Sequence, residues 1–162
     1  MTGDKGTRMM VGTRLLCLFA CTAVFWVGCR TIRDPQAIRV DLKSDRMTYG
    51  VGDTFRGTIA FTNTAASRNR ISWPDAAWYV VDVYDSRDSL VYEYPAGVAQ
   101  IITDVDFAPL ETKVYALVFR LERADTSTWP QPCPPLPAGA YRLHGKLSVT
   151  DGPSADLSFT IE

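Results

Sequence analysis

The sequence predicts an all-β chain, an immunoglobulin-like antiparallel β-sandwich of about seven to eight strands after an N-terminal signal peptide. Three observations carry this reading. After Ile38, apolar and polar residues alternate in short runs; Gly, Pro, Asp and Asn turns separate the runs at regular intervals; and nothing beyond the leader has a helical period.

Ile38, Val40 and Leu42 alternate with Arg39, Asp41 and Lys43, the pattern of a half-buried strand. After the turn Tyr49-Gly50-Val51-Gly52-Asp53, a second strand sets Phe55, Gly57, Ile59 and Phe61 on one side and Arg56, Thr58 and Ala60 on the other. Residues 63 to 69 form a polar loop. From Ile71 the chain is aromatic and β-branched, with Pro74 interrupting, and Trp78 to Asp85 is apolar on both faces except at Asp82, as a central strand would be. Asp85 to Ser89 turns it into a hairpin partner, Leu90 to Tyr94. Ile101 to Phe107 reads as a short strand, followed by a turn at Pro109 to Thr112. Tyr115, Leu117, Phe119 and Leu121 share one face of the next strand. The loop from Glu122 to Gly139 carries Pro130, Pro132, Pro134, Pro135 and Pro137, which exclude a central strand. A final hairpin alternates Tyr141, Leu143, Gly145, Leu147 and Val149 with Arg142, His144, Lys146 and Ser148, turns at Asp151-Gly152-Pro153, and ends on Leu157, Phe159 and Ile161.

The chain opens with Lys5, Arg8 and Arg14, continues with the apolar run LLCLFACTAVFWV from Leu15 to Val27, and reaches Gly28-Cys29. A positive start, a short apolar stretch and a small residue before the cut describe a secretory leader. The run is short of the roughly 20 residues a membrane-crossing helix needs. Trp26-Val27-Gly28-Cys29 is similar to the lipobox of bacterial lipoproteins, although an aliphatic residue is usual where Trp26 stands. Cys29 is the expected lipidation site; an uncleaved anchor and cleavage without lipid are the alternatives. Residues 1–28 are therefore read as leader, 29–37 as tether and 38–162 as the domain. The expected location is the cell envelope, with the protein held on the periplasmic face of a membrane through lipid at Cys29. Cys133 is then the single thiol of the mature protein and no internal disulfide is expected.

Of 162 residues, 17 are basic and 18 acidic. Removing Lys5, Arg8, Arg14 and Asp4 with the leader leaves 14 basic and 17 acidic, interspersed, with no basic stripe for a nucleic-acid backbone. His144 is the only histidine and falls on the polar face of a strand, so it is expected to face solvent rather than serve as a base. No G-x-S-x-G turn, phosphate-binding glycine loop or Cys/His metal spacing occurs, and no enzyme activity, cofactor or metal is expected. The carboxylates Asp82, Asp85, Asp88, Asp104 and Asp106 do not follow the calcium-loop spacing, and turn chemistry accounts for Asp85 and Asp88. Among the aromatics, most are core. Tyr84 or Tyr92 could form a binding surface, and Trp129 beside Pro130 is the candidate protein-binding anchor, the alternative being a Trp folded back over a sheet edge.

Taken in order, Tyr49-x-x-Gly52-Asp53 before a strand ending in Asn63, Val81-Asp82-Val83-Tyr84-Asp85 followed by Leu90-Val91-Tyr92, the Pro109 turn before Lys113 to Leu121, and Pro137-Ala138-Gly139-Ala140-Tyr141 resemble the BsuPI family of bacterial intracellular proteinase inhibitors. The resemblance spans nearly all of the mature domain. It implies a β-sandwich and a protein-binding role, with inhibition of a serine protease as one form of it. The leader departs from an intracellular family, so no protease target carries over. The expected function is a lipid-anchored envelope module that binds a protein partner; the alternative is a structural or assembly component of an envelope complex.

Overall fold

The computed structural model describes residues 33–73, 77–94, 103–123 and 133–162. Ten strands follow a short 3-10 turn at Pro35–Ala37: β1 Ile38–Ser44, β2 Thr48–Tyr49, β3 Thr54–Asn63, β4 Asn69–Trp73, β5 Tyr79–Asp85, β6 Leu90–Tyr94, β7 Thr103–Phe107, β8 Thr112–Arg120, β9 Gly139–Leu147 and β10 Ser154–Ile161. They form a three-stranded sheet in the order β1-β3-β8, a five-stranded sheet in the order β2-β10-β9-β5-β6, and a separate β4-β7 pair.

This is the immunoglobulin-like sandwich the alternation predicts. The first sheet has the order of strands A, B and E of such domains, and β6-β5-β9-β10 that of C′, C, F and G. Tyr141, near the start of β9, donates its hydroxyl to the Pro137 carbonyl at 2.8 Å, the tyrosine corner that closes the turn into strand F of that fold. One departure from the all-antiparallel expectation is β2, which runs parallel to β10 through Thr48↔Thr160 and Tyr49↔Ile161.

Inward residues of the two large sheets meet in one core. Phe55 of β3 lies 5.0 Å from Phe119 of β8 and 5.7 Å from Phe159 of β10, while Tyr92 of β6 stacks on Phe119 at 4.9 Å. Trp78 packs between Phe61, Trp73 and Tyr115, so Trp73 and Trp78 are core as expected. Gly145 leaves room for the opposite sheet, because a Cβ there would stand 2.8 Å from Ile59 Cδ1 and 3.2 Å from Leu42 Cδ2.

Buried amides tie the loops to this core. Asn63 donates to the carbonyls of Ser67 and Ala108 and accepts from Ala65 N, joining the β3–β4 and β7–β8 connections. Asn69 donates to Asp34 O at 2.7 Å and accepts from Asp34 N, and Thr64 N donates to Ala37 O. Asp34 to Ala37, read from sequence as the end of the tether, are thus bonded into the fold.

Candidate functional site

Two surfaces of the sandwich differ from ordinary solvated strand faces. The first is the outer face of β5, β9 and β10, where period 2 brings Asp82, Tyr84, Arg142, His144, Lys146 and Asp156 to one side. Lys146 Nζ donates to Asp82 Oδ2 at 3.0 Å, and the Tyr84 hydroxyl donates to the same oxygen at 3.3 Å. Arg142 lies over the Tyr84 ring at 4.6 Å and donates to Asp88 and Asp156, each at 2.9 Å. His144 does not simply face solvent: its Nδ1 sits 2.9 Å from Asp156 Oδ1 and its side chain is 22% exposed. The strand neighbours that flank it are bonded too, which turns the face into a connected polar ladder.

A His–Asp pair is half of a hydrolytic relay. Among the described residues no hydroxyl or thiol is hydrogen-bonded to the His144 ring, and no three His, Cys, Asp or Glu side chains are grouped for a metal. An open depression of about 490 Å³ beside the ladder is bordered by Met47, Thr48, Asp85, Asp88 and Arg142. Its guanidinium is already held by two carboxylates.

Several carboxylates are held below their ordinary pKa: Asp85 by the Ser89 and Arg87 N–H groups, Asp106 by the Arg70 guanidinium, and Glu111 by the Ala108 N–H with Lys113. For Asp156 burial pushes upward, but the bonds from His144 and Arg142 outweigh it. Because the folded values lie below the unfolded ones, each group adds stability above the usual carboxylate range and loses it as pH falls through the depressed value. The urea midpoint is therefore expected to hold between about pH 5 and 7 and to fall progressively below about pH 4. A midpoint unchanged down to pH 2 would exclude these pairings.

The second surface is the edge formed by β8. Asn63 N donates to Glu111 O and Leu121 N to Asp53 O, which sets the phase of the β3–β8 ladder. Antiparallel pairing alternates, so Lys113, Tyr115, Leu117 and Phe119 bond to β3, while Val114, Ala116 and Val118 aim N–H and C=O away from it. Among the described residues no strand pairs with β8 on that side. The side chains of the same three residues stand on the outer face, Val114 60% and Val118 49% exposed. The corresponding outward residues of β1 are Arg39, Asp41 and Lys43.

The sequence reading attends to the inward face of this strand. The signal for its edge is present nonetheless, because Val114, Ala116 and Val118 are apolar where a solvated strand face carries polar residues. Of the residues singled out from sequence, Tyr84 is on the outer face under Arg142, whereas Tyr92 is inward against Phe119, a correction to its reading as a binding surface. Tyr92 pairs with Val83 and Tyr94 with Val81, both inward residues of β5, so the register puts both rings on the core side and Glu93 outward. The acidic residues disperse: Asp104 accepts from Ser72 and Asp106 from Arg70 across the β4–β7 pair. Cys133 is partly exposed. Cys29 and Trp129 lie outside the described residues.

No family model matches the chain, and no curated protein matches it. Solved structures do. The CARDB domain of a Pyrococcus furiosus protein, in complex with di-metal ions, is 16% identical over 77% of this chain and 87% of its own, with a TM-score of 0.42. The sporulation control protein Spo0M of Bacillus subtilis is 16% identical over 78% of this chain and 49% of its own, at 0.45. A β-glucosidase from Erythrobacter marinus is 12% identical over 77% of this chain and 15% of its own, at 0.49. Likenesses of this size transfer no activity, metal or partner to this chain.

Proposed function

We propose that this chain is a non-catalytic protein-binding module of the bacterial cell envelope, anchored by lipid at Cys29, and that it binds by accepting an added strand along β8. The observation that carries the reading is the β8 edge itself: hydrogen-bonding groups of Val114, Ala116 and Val118 point outward on a rigid sandwich, beside exposed valines. Backbone pairing along such an edge supplies affinity and the alternating side chains supply selectivity. The BsuPI resemblance supports a protein partner, and protease inhibition is one version of this function. Trp129, in the proline-rich loop that leaves β8, is a second contact candidate.

The test uses the full chain in its host envelope with a photoreactive residue at Ala116, and at Ser158 on the opposite sheet as control. An adduct is expected from position 116 and not from 158; none from 116 would sink the reading. In the same preparation, Cys29→Ala is expected to release the protein from the membrane fraction or leave an unprocessed precursor, since each acyl CH₂ contributes about 0.8 kcal/mol to retention. Unchanged retention and processing would remove the lipid anchor.

A further inference from the structure

Resting on the reading of β8 as the interaction edge, we infer that the strand it accepts is β8 of a second copy of this chain, paired antiparallel about a twofold axis at Ala116. The residues from Val114 to Val118 (Val-Tyr-Ala-Leu-Val) read nearly the same in both directions. With Ala116 opposite its own copy, Val114 faces Val118 and Tyr115 faces Leu117, so both sides of the joined sheet stay apolar. Outside them Thr112 meets Arg120 and Lys113 meets Phe119, and no like charges stand opposite each other. The hydrogen-bond phase fits as well. The residues whose N–H and C=O groups point outward are those that would form the hydrogen-bonded pairs, 114 with 118, 116 with 116 and 118 with 114.

The ends of the strand fit the same register. At its C-terminal end the strand turns: Glu122 N donates back to Arg120 O on the free side, while Leu121 O and Arg123 N, on the β3 side, bond to Leu136 N and Pro134 O. In the twofold pairing Glu122 would stand opposite Leu110, and there the second copy has already turned off: Leu110 has φ 59°, and Leu110 N and Glu111 N donate back to Ala65 O and Ala108 O. Both strands therefore turn away at the limits of the pairing. Between these limits the strand lacks the devices that blunt a free edge. It has no proline, its nine pairs with β3 run without a bulge, and its outward row from Val114 to Val118 carries no charge.

Nine paired residues extend only about 30 Å, so the interface is smaller than the roughly 800 Å² per partner of a standard stable complex, and the pairing is reversible. Confinement of both copies to one membrane would raise their effective concentration.

The test is disulfide trapping of the full chain in envelope membranes, with Cys133→Ala as background. Hydrogen-bonded antiparallel residues have Cα atoms about 5.5 Å apart, within disulfide reach. Ala116→Cys is expected to give a bridged dimer under mild oxidation. Thr112→Cys, about 27 Å from its own copy in this register, is expected to give none. Val114→Lys added to Ala116→Cys should cut bridging at least about fivefold, and Val114→Lys/Val118→Glu, which sets a cation opposite an anion on both sides of the axis, should restore it. Absence of bridging at 116, equal bridging at 112, or a double variant no better than the single one would overturn the pairing. A photoadduct at 116 with a different protein, without bridging, overturns the self-pairing and leaves the binding reading standing; no adduct and no bridging overturns both.

Discussion

Replacing Gly57 by alanine is expected to destabilise the domain by about 3 kcal/mol, lowering its melting temperature by roughly 10 °C. A Cβ at this position would stand 2.4 Å from the Lys43 carbonyl oxygen and 2.8 Å from Phe55 Cε1. Neither neighbour yields cheaply. The carbonyl belongs to the backbone of β1, held to β3 in an unbroken register from Ile38↔Asn63 to Ser44↔Gly57. The Phe55 ring is fully buried, with Tyr49, Phe119 and Phe159 around it. Relief requires the end of β1 to lift from the sheet. Gly139→Ala is the matched control, because its Cβ would meet nothing nearer than 3.7 Å, and it is expected to change stability by less than about 0.5 kcal/mol. A Gly57→Ala loss no larger than that of the control, read by thermal denaturation, would show that the two strands are not packed this closely.

Gly57 also marks what the sequence could say about the fold. The alternation of Phe55, Gly57, Ile59 and Phe61 with polar residues was legible because one face of β3 is buried and the other is not. The same one-sided burial exposed β1, β8, β9 and β10, whereas β5 stood out by being apolar on both faces. Pairing between distant strands left no such trace. β2 is two residues long, too short to display a period, and its partner lies at the other end of the chain. The β4–β7 pair joins residues 30 or more positions apart, and its cross-strand bonds, Arg70 to Asp106 and Ser72 to Asp104, are recognisable only once the register is known.

For the functional surfaces the division is similar. Residue type placed His144 on the polar face of β9, but its bond to Asp156 depends on the register Asp156↔His144, which the hairpin turn alone did not fix. Asp82, Asp85 and Asp88 look like one acidic cluster in sequence. The strand period separates them: Asp82 is 4% exposed against Lys146, Asp85 caps the β5–β6 turn, and Asp88 reaches Arg142. The apolar outward row of β8 was written in the sequence. What leaves it at a free edge is the absence of a neighbouring strand among the described residues, a property of sheet order rather than of any local pattern.

Asn63→Asp is expected to produce the second large loss, and one with an unusual pH dependence. Asn63 is fully buried at the end of β3, its Nδ2 donating to Ser67 O at 2.8 Å and Ala108 O at 2.9 Å while Oδ1 accepts from Ala65 N at 3.1 Å. A carboxylate in its place would keep the Ala65 bond but turn an acceptor toward two carbonyl oxygens, without a cation to compensate. Burial and the facing carbonyls both disfavour the charged form, so the introduced carboxyl is expected to titrate above its unfolded value. The sign is then opposite to that of the native carboxylates: near pH 3 the protonated group can donate one hydrogen bond, and the loss relative to the unsubstituted protein is about 2 kcal/mol. As pH rises past the unfolded pKa, the unfolded chain ionises while the folded one resists, and the loss grows to about 4 kcal/mol near pH 7. Asn63→Ala, which removes the donors without adding charge, should cost about 2 kcal/mol at both pH values. Urea denaturation of the two variants beside the unsubstituted chain at pH 3 and pH 7 separates the cases. A pH-independent Asn63→Asp deficit equal to that of Asn63→Ala would mean that this amide is solvated and does not join the two loops.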